Sequence, residues 1–372
     1  IAALFVVIIW YLLALPSPLF VTPYSTVVVD RNGELLGARI SKDGQWRFPP
    51  TDSVHEKYKI CLIEYEDKWF YYHPGVNIFS IGRAMVQNIK SRTIVSGGST
   101  ITMQTIRLAR HNKRTYFEKA VEAVLATRLE LTHTKEDIIV LYASHAPMGG
   151  NVVGIDAASW RYFGHDAESL SWAEAATLAV LPNSPGMMHF GRNRGQLIDK
   201  RNNLLLRLYK KSIIDKHSYE LAIAEPLPEH PNPLPQIAPH LVTQLYINNQ
   251  GNYISSTIDK HLQIQSEDIL NRWSYEFSQN GVNNIASIIV DLKTNEIISY
   301  NGNVNFATNA HGVQVDIVQS KRSTGSILKP FLYCAMLQEG VLLPRELVAD
   351  VPININGFAP KNFSLNYDGA VH

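Results

Sequence analysis

Two carboxylates stand together at Glu66-Asp67 in the stretch EDKWFYYHPG, ahead of four aromatic rings and followed by His73 and Gly75. Downstream lie a turn rich in glycine and hydroxyls, GGSTITMQ (97–104), with Arg107 just beyond it, and the run Arg114-x4-Lys119-x2-Glu122. Each has an ordinary explanation when taken singly. An acidic pair can be a solvated turn, and an aromatic run usually belongs to a core. Gly-Gly-Ser-Thr lacks the spacing and the Lys of a phosphate-binding loop. Lys119 and Glu122, at i and i+3, can be a surface ion pair. In combination they suit glycosyl transfer from a phosphorylated donor. One carboxylate takes a proton from an attacking sugar hydroxyl. Three cations, with or without a metal, neutralise the departing pyrophosphate.

A second constellation is Ser326-x-x-Lys329 in RSTGSILKPF (322–331). On a helix this spacing puts an amine beside a hydroxyl, and a desolvated Lys can activate the Ser. Ser-x-x-Lys is common by chance. The preceding Gly, the following Pro and a hairpin upstream give it weight. The two cysteines, Cys61 and Cys334, are far apart in apolar settings, without metal-ligand spacing, and read as buried thiols. A net charge of +1 excludes a global field directed at nucleic acid, so any anionic ligand must be met by local clusters.

The elements that must position these residues emerge from pattern. STVVVDRNGELLGARI (25–40) alternates around Arg31-Asn32-Gly33 and reads as a hairpin. From about 54 to 225 the period is helical. TYFEKAVEAVLATRLEL (115–131) puts apolar residues 121, 124, 125 and 129 on one face. Thr134 with Asp137 marks a helix start, and Ser171 with Glu174 forms a capping box ahead of a helix closed by Pro182. Six prolines in the fifteen residues 225–239 form an extended connector. A second hairpin is expected over 286–303, turning at Lys293-Thr294-Asn295. Residues 1–15 are uncharged and apolar, then stopped by Pro16 and Pro18. They are shorter than the roughly 20 residues that span a bilayer. Because the chain begins with Ile, they read as the end of an uncleaved anchor rather than as a signal peptide, whose basic leader and small-x-small cleavage site are not visible.

EDKWFYYHPGV, GGSTITMQ, the run from Arg114 to Glu122, GGNVVGIDAASWRYFG (149–164) and LSWAEAATLAVLPNSP (170–185) match, in order, the five motifs of family 51 peptidoglycan glycosyltransferases. GSILKPF resembles the nucleophile motif of penicillin-binding transpeptidases. The chain is thus similar to the class A penicillin-binding proteins over nearly its whole length. The resemblance implies a multidomain protein: an N-terminal membrane helix, a mostly α, lysozyme-like glycosyltransferase domain, and the beginning of a truncated α+β serine transpeptidase domain. The implied boundaries are a truncated transmembrane anchor over 1–20, a juxtamembrane hairpin segment over 21–53, the glycosyltransferase domain over 54–225, a linker over 226–283, and the first part of the transpeptidase domain over 284–372.

The same resemblance implies polymerisation of lipid II into β-1,4 glycan strands with release of undecaprenyl pyrophosphate. Glu66 would be the general base. Glu122 would steer the donor pyrophosphate through a divalent cation, Mg or Mn, with no organic cofactor. Arg107, Arg114 and Lys119 would hold phosphate. Ser99, Thr100 and Gln104 would shape the donor site. His73 and Gly75 would support the loop of Glu66, with Asp67 as its lesser neighbour and the aromatic rings fixing that loop at the membrane edge. Ser326 would be acylated by a stem peptide or a β-lactam, with Lys329 activating it. The implied place is the inner membrane, crossed once, with catalytic domains on the periplasmic side and with lipid II, the growing glycan and the membrane as partners. No nucleic acid is implied.

Two departures from the family pattern stand out. Asn77 occupies a position where many relatives have Asp, and Ser144 one where many have Asn. Ser364-Leu365-Asn366 lies in a loop-like stretch and reads as a decoy of the second transpeptidase motif, and Lys293-Thr294-Asn295 precedes the serine. Neither true motif is expected before His372, so this half reads as incomplete. A lysozyme-like muramidase and a non-catalytic wall-binding scaffold are the competing readings. The first has no need of phosphate-holding cations, and the second predicts decayed motifs.

Overall fold

The computed structural model describes residues 2–91, 97–113, 115–183, 193–308, 310–362 and 364–371. They fall into two compact units, Ile1–Val318 and Gln319–His372.

In the first unit, helix α1 (Ala2–Leu13) is followed by strands β1 (Thr26–Val29) and β2 (Leu35–Arg39), which pair antiparallel. Their turn is fixed by the Asp30 carboxylate, which accepts from the backbone N–H of Asn32 and of Glu34, each at 2.8 Å. Strand β3 (Trp46–Arg47) leads into α2 (Glu56–Glu66), a 3-10 turn at Phe70–Tyr72, α3 (Ile78–Ser91), α4 (Ile101–Arg110), α5 (Tyr116–Glu130) and α6 (Lys135–His145). Strands β4 (Pro147–Gly149) and β5 (Val152–Val153) precede α7 (Ile155–Tyr162), α8 (Trp172–Val180), α9 (Arg194–Lys210) and α10 (Lys216–Ala224). After α11 (Pro239–Asn248), β6 (Tyr253–Ser255) and α12 (Lys260–Ser278), the unit ends with the antiparallel pair β7 (Ser287–Asp291) and β8 (Glu296–Asn301).

The helix starts obey local chemistry. Thr100, Thr115, Thr134, Ser171, Asp215 and Asp259 each cap a helix by accepting from the backbone N–H three residues on. Thr134 and Ser171 complete reciprocal capping boxes with Asp137 and Glu174. Helix α2 packs on α8 and α9, while α4 packs on α5 and α6. Tyr58, Cys61, Leu62, Leu125, Leu129 and Tyr142 are among the side chains buried at these contacts. On α5 the buried stripe is Glu122, Leu125, Ala126 and Leu129. Val124, expected on that face, is exposed. A carboxylate therefore sits on the apolar side of α5.

Residues 226–236 run without helix or strand, as the prolines require. The chain beyond them packs back on its own start. Strand β6 pairs parallel with β1, giving the sheet order β2-β1-β6. Helix α1 has 12 residues, about 18 Å of rise, and Tyr11 Oη lies 3.1 Å from Thr127 Oγ1 of α5. Among the described residues no helix is long and apolar enough to cross a membrane.

The second unit holds a 3-10 turn at Gly325–Leu328, α13 (Lys329–Gln338), and the antiparallel strands β9 (Val348–Asp350) and β10 (Gly369–Val371). Cys61 is buried as expected, but Cys334 is exposed. Cys334 lies on α13, none of whose residues is buried, so none of the described elements covers its thiol.

Candidate active site

Glu66 is the last residue of α2, partly buried, and its Oε2 accepts from Gln104 Nε2 at 2.7 Å. The other end of that amide, Gln104 Oε1, accepts from the Arg107 guanidinium at 3.1 Å. Gln104 and Arg107 sit three residues apart on α4, one turn that presents both side chains to the same place. The three residues form a carboxylate–amide–guanidinium chain. Its order is set by hydrogen-bonding capacity, since an ionised carboxylate only accepts and a guanidinium only donates.

Asp67 points elsewhere. It caps the end of α2, is only 7% exposed, and accepts from His73 Nε2 at 2.9 Å and from the backbone N–H of Ile101 at 3.2 Å. The adjacent carboxylates therefore divide: Glu66 faces the Gln104 amide, while Asp67 ties the turn to the first residue of α4. Thr100 reinforces this tie by donating to the Gly75 carbonyl at 2.6 Å while capping α4. Gly75 has φ +88°, and a Cβ there would lie 2.6 Å from the Ala126 carbonyl oxygen of α5. Only glycine allows that approach.

Of the four rings between Trp69 and Tyr72, Phe70 alone is buried; Trp69, Tyr71 and Tyr72 are exposed. Two of the rings hold the loop, Phe70 by packing inward and Tyr71 by donating from its hydroxyl to Glu136 at 3.2 Å. A 3-10 turn points successive side chains in different directions, so only one faces the core. Trp69 and Tyr72 instead line a cavity of about 600 Å³ beside His73, with Pro74, Ile78 and Phe79. Asn77 accepts from the backbone N–H of Ser80 at 2.9 Å and so begins α3. Asn serves there as well as Asp. Ser144 is buried at the end of α6.

Around Glu66 lie titratable groups whose pKa is shifted by burial and by the Glu66 charge. Burial first, and the Glu66 charge second, push the Tyr65 phenol up to about 12. The same two causes raise Tyr142, opposed by Arg107. Burial lowers Lys200 on α9, and Glu66 opposes that shift. Lys200 and Tyr142 thus sit in the electrostatic reach of Glu66. Sequence reasoning missed both, because each lies within a helix whose pattern marks it only as a member of that helix.

Glu122 is 9% exposed on the inward face of α5, and α5 packs on the helix that carries Gln104 and Arg107. Lys119 is exposed one turn before it, and Ser99 is partly buried just ahead of the α4 cap. Arg114 lies outside the described residues. Ser326 and Lys329 belong to the second unit, where both are exposed, the first in the 3-10 turn and the second opening α13.

Comparison with known proteins supports the family resemblance. A family model described as Transglycosylase matches residues 32–209. Penicillin-binding protein 1C of Escherichia coli is 35% identical over 96% of this chain and 46% of its own length. Penicillin-binding protein 1F of Bacillus subtilis is 25% identical over 93% of this chain and 50% of its own length. The chain spans about half the length of these curated relatives. The solved structure of penicillin-binding protein 1A from Haemophilus influenzae aligns with a TM-score of 0.40 at 15% identity, over 94% of this chain and 58% of that one.

Proposed function

We propose, from the premise that the chain belongs to the class A penicillin-binding proteins, that its first unit is a peptidoglycan glycosyltransferase that polymerises lipid II. The supporting observation is the chain from Glu66 through Gln104 to Arg107. It holds one carboxylate oxygen in a fixed orientation through an amide that a guanidinium holds in turn, as a positioned base requires. Glu66 takes the proton of the acceptor 4-hydroxyl. The freed oxygen bonds to the donor anomeric carbon as the bond from that carbon to the pyrophosphate oxygen breaks, with inversion. Arg107, Arg114 and Lys119 meet the phosphates, and Ser99, Thr100 and Gln104 bound the donor site.

Glu122 suits a divalent cation in one manner only. Among the described residues no three His, Cys, Asp or Glu gather into a metal cage, but magnesium is often held by one or two carboxylates with substrate phosphates. An Mg or Mn ion held by Glu122 would screen the charge that develops on the leaving pyrophosphate. In this reading the catalytic unit works outside the cytoplasmic membrane, tethered by a single N-terminal span. Ser326, with Lys329, is the acylation site for stem peptides or β-lactams in the full-length protein.

The test is to give the purified chain lipid II and separate the products. Wild type should make glycan polymer, and Glu66→Gln almost none. Ordinary polymer from Glu66→Gln removes Glu66 as the base, and cleavage of finished peptidoglycan by wild type would favour the muramidase.

A further inference from the structure

We propose that Lys135 and Glu130 are positioning residues that lock the carboxylate-bearing turn onto three helices. The consequence for turnover rests on the glycosyltransferase reading; the contacts do not. Lys135 opens α6 directly after the Thr134 cap. Its Nζ donates to Glu130 Oε1 at 2.7 Å and to the His73 carbonyl at 2.8 Å, and lies 4.4 Å from the centroid of the Phe70 ring. An ammonium has three donors and no acceptor, and here two hydrogen bonds and an aromatic face engage it. Glu130, the last residue of α5, also accepts from Thr102 Oγ1 of α4 at 2.6 Å, on the same Oε1. One oxygen therefore joins α4, α5 and α6, and one amine carries that junction to the turn.

The joined elements are the ones that hold the site. His73, whose carbonyl Lys135 holds, bonds Asp67 through its ring, and Asp67 is next to Glu66. Helix α4 brings Gln104 and Arg107, and α5 brings Glu122. The Lys135 and Glu130 side chains are only 20% and 9% exposed, so solvent screens the pair little. A second tie runs beside it, from the Tyr71 hydroxyl to Glu136 at 3.2 Å. The packing of α2 on α8 and α9 uses none of these groups. Losing the junction should therefore release the turn and leave that core standing. A displacement of about 1 Å in a positioned group can cost on the order of 100-fold in rate.

The experiment uses the full chain as Lys135→Met, Lys135→Arg and Glu130→Gln. Amide hydrogen exchange is followed without substrate, and lipid II polymerisation in parallel. In Lys135→Met, amides of residues 67–77 should exchange about tenfold faster or more, while those of α8 and α9 keep wild-type rates. Turnover should fall by about tenfold or more, with half-saturating lipid II changed by less than about twofold. Lys135→Arg should recover much of both, and Glu130→Gln should fall between. Unchanged exchange over 67–77 would overturn the proposal, and so would equal acceleration throughout the first unit, which marks a general loss of stability. If wild type makes no polymer, the enzymatic reading falls, and the exchange pattern alone decides the positioning role.

Discussion

At the scale of single residues, the informative contrast is between neighbours. Glu66 and Asp67 are the same chemistry one position apart, yet one faces the Gln104 amide and the other is consumed by His73 and the start of α4. The sequence carried the motif that holds both, and residue types were enough to suggest a base and its supports. It could not say which way each carboxylate points, because that depends on where α2 stops. Nor could it reveal Lys200 or Tyr142, which acquire their relation to Glu66 only when α9 and α6 pack near it. Gln104 is the residue through which this reading can be pressed. Gln104→Leu removes the donor that orients Glu66 and should lower turnover by roughly 10–100-fold. Gln104→Glu sets a like charge beside Glu66, which disfavours its ionised form and should move the acid limb of the rate profile to higher pH. The measurement is lipid II turnover across pH. A Gln104→Glu profile with an unmoved acid limb would show that position 104 does not sense the base.

At the scale of elements, helix starts were legible wherever a cap and a period coincided, as at Thr134 and Ser171. The tie between the N-terminal segment and α6 was not legible, because it is made by residues more than a hundred positions apart. There His145 stacks on Phe20 with centroids 3.6 Å apart, accepts at Nε2 from the Tyr24 hydroxyl at 3.0 Å, and donates from Nδ1 to the Leu141 carbonyl at 2.9 Å. Accepting at one nitrogen requires the neutral ring. Burial chiefly, with the Arg47 and His111 charges, lowers its pKa to about 4, although the Leu141 carbonyl opposes this. Unfolded, the ring titrates near its ordinary value of about 6.5. Above that pH neither state binds the proton, and the full stability is present. As pH falls from 6.5 towards 4 the unfolded chain gains a proton that the fold refuses, so stability is lost by up to about 3 kcal/mol. Urea midpoints at pH 7.5 and 4.5 should show this loss in wild type and a smaller one in His145→Phe. Equal losses in the two proteins would assign the pH dependence to other groups.

At the scale of the first unit, the stretch expected as a linker does more than connect. Val28 and Leu36 of the opening hairpin share a buried cluster with Ala238, Val242, Ile258 and Tyr300, so one small core draws on chain more than 250 residues apart. Gln263 of α12 holds it from beneath. The two N–H bonds of its Nε2 are shared among the Ile237 carbonyl, the Tyr300 carbonyl and Asn301 Oδ1, and its Oε1 accepts from Ser299 Oγ and the Tyr300 N–H. No pattern in the sequence marks a glutamine on an amphipathic helix as the centre of such a polar network, since its partners lie on the connector and on β8. Gln263→Leu leaves those buried groups unsatisfied and should cost at least about 2 kcal/mol. If the opening hairpin, β6 and the β7–β8 pair stand on one core, the damage should spread. Amides of β1 and β2 should lose exchange protection along with those of α12 and β8, although residues 26–39 are far from the substitution in sequence. Loss confined to α12 and β8 would separate the hairpin from this core, and the β1–β6 pairing would then carry the tie between the chain's first strands and the segment beyond the prolines.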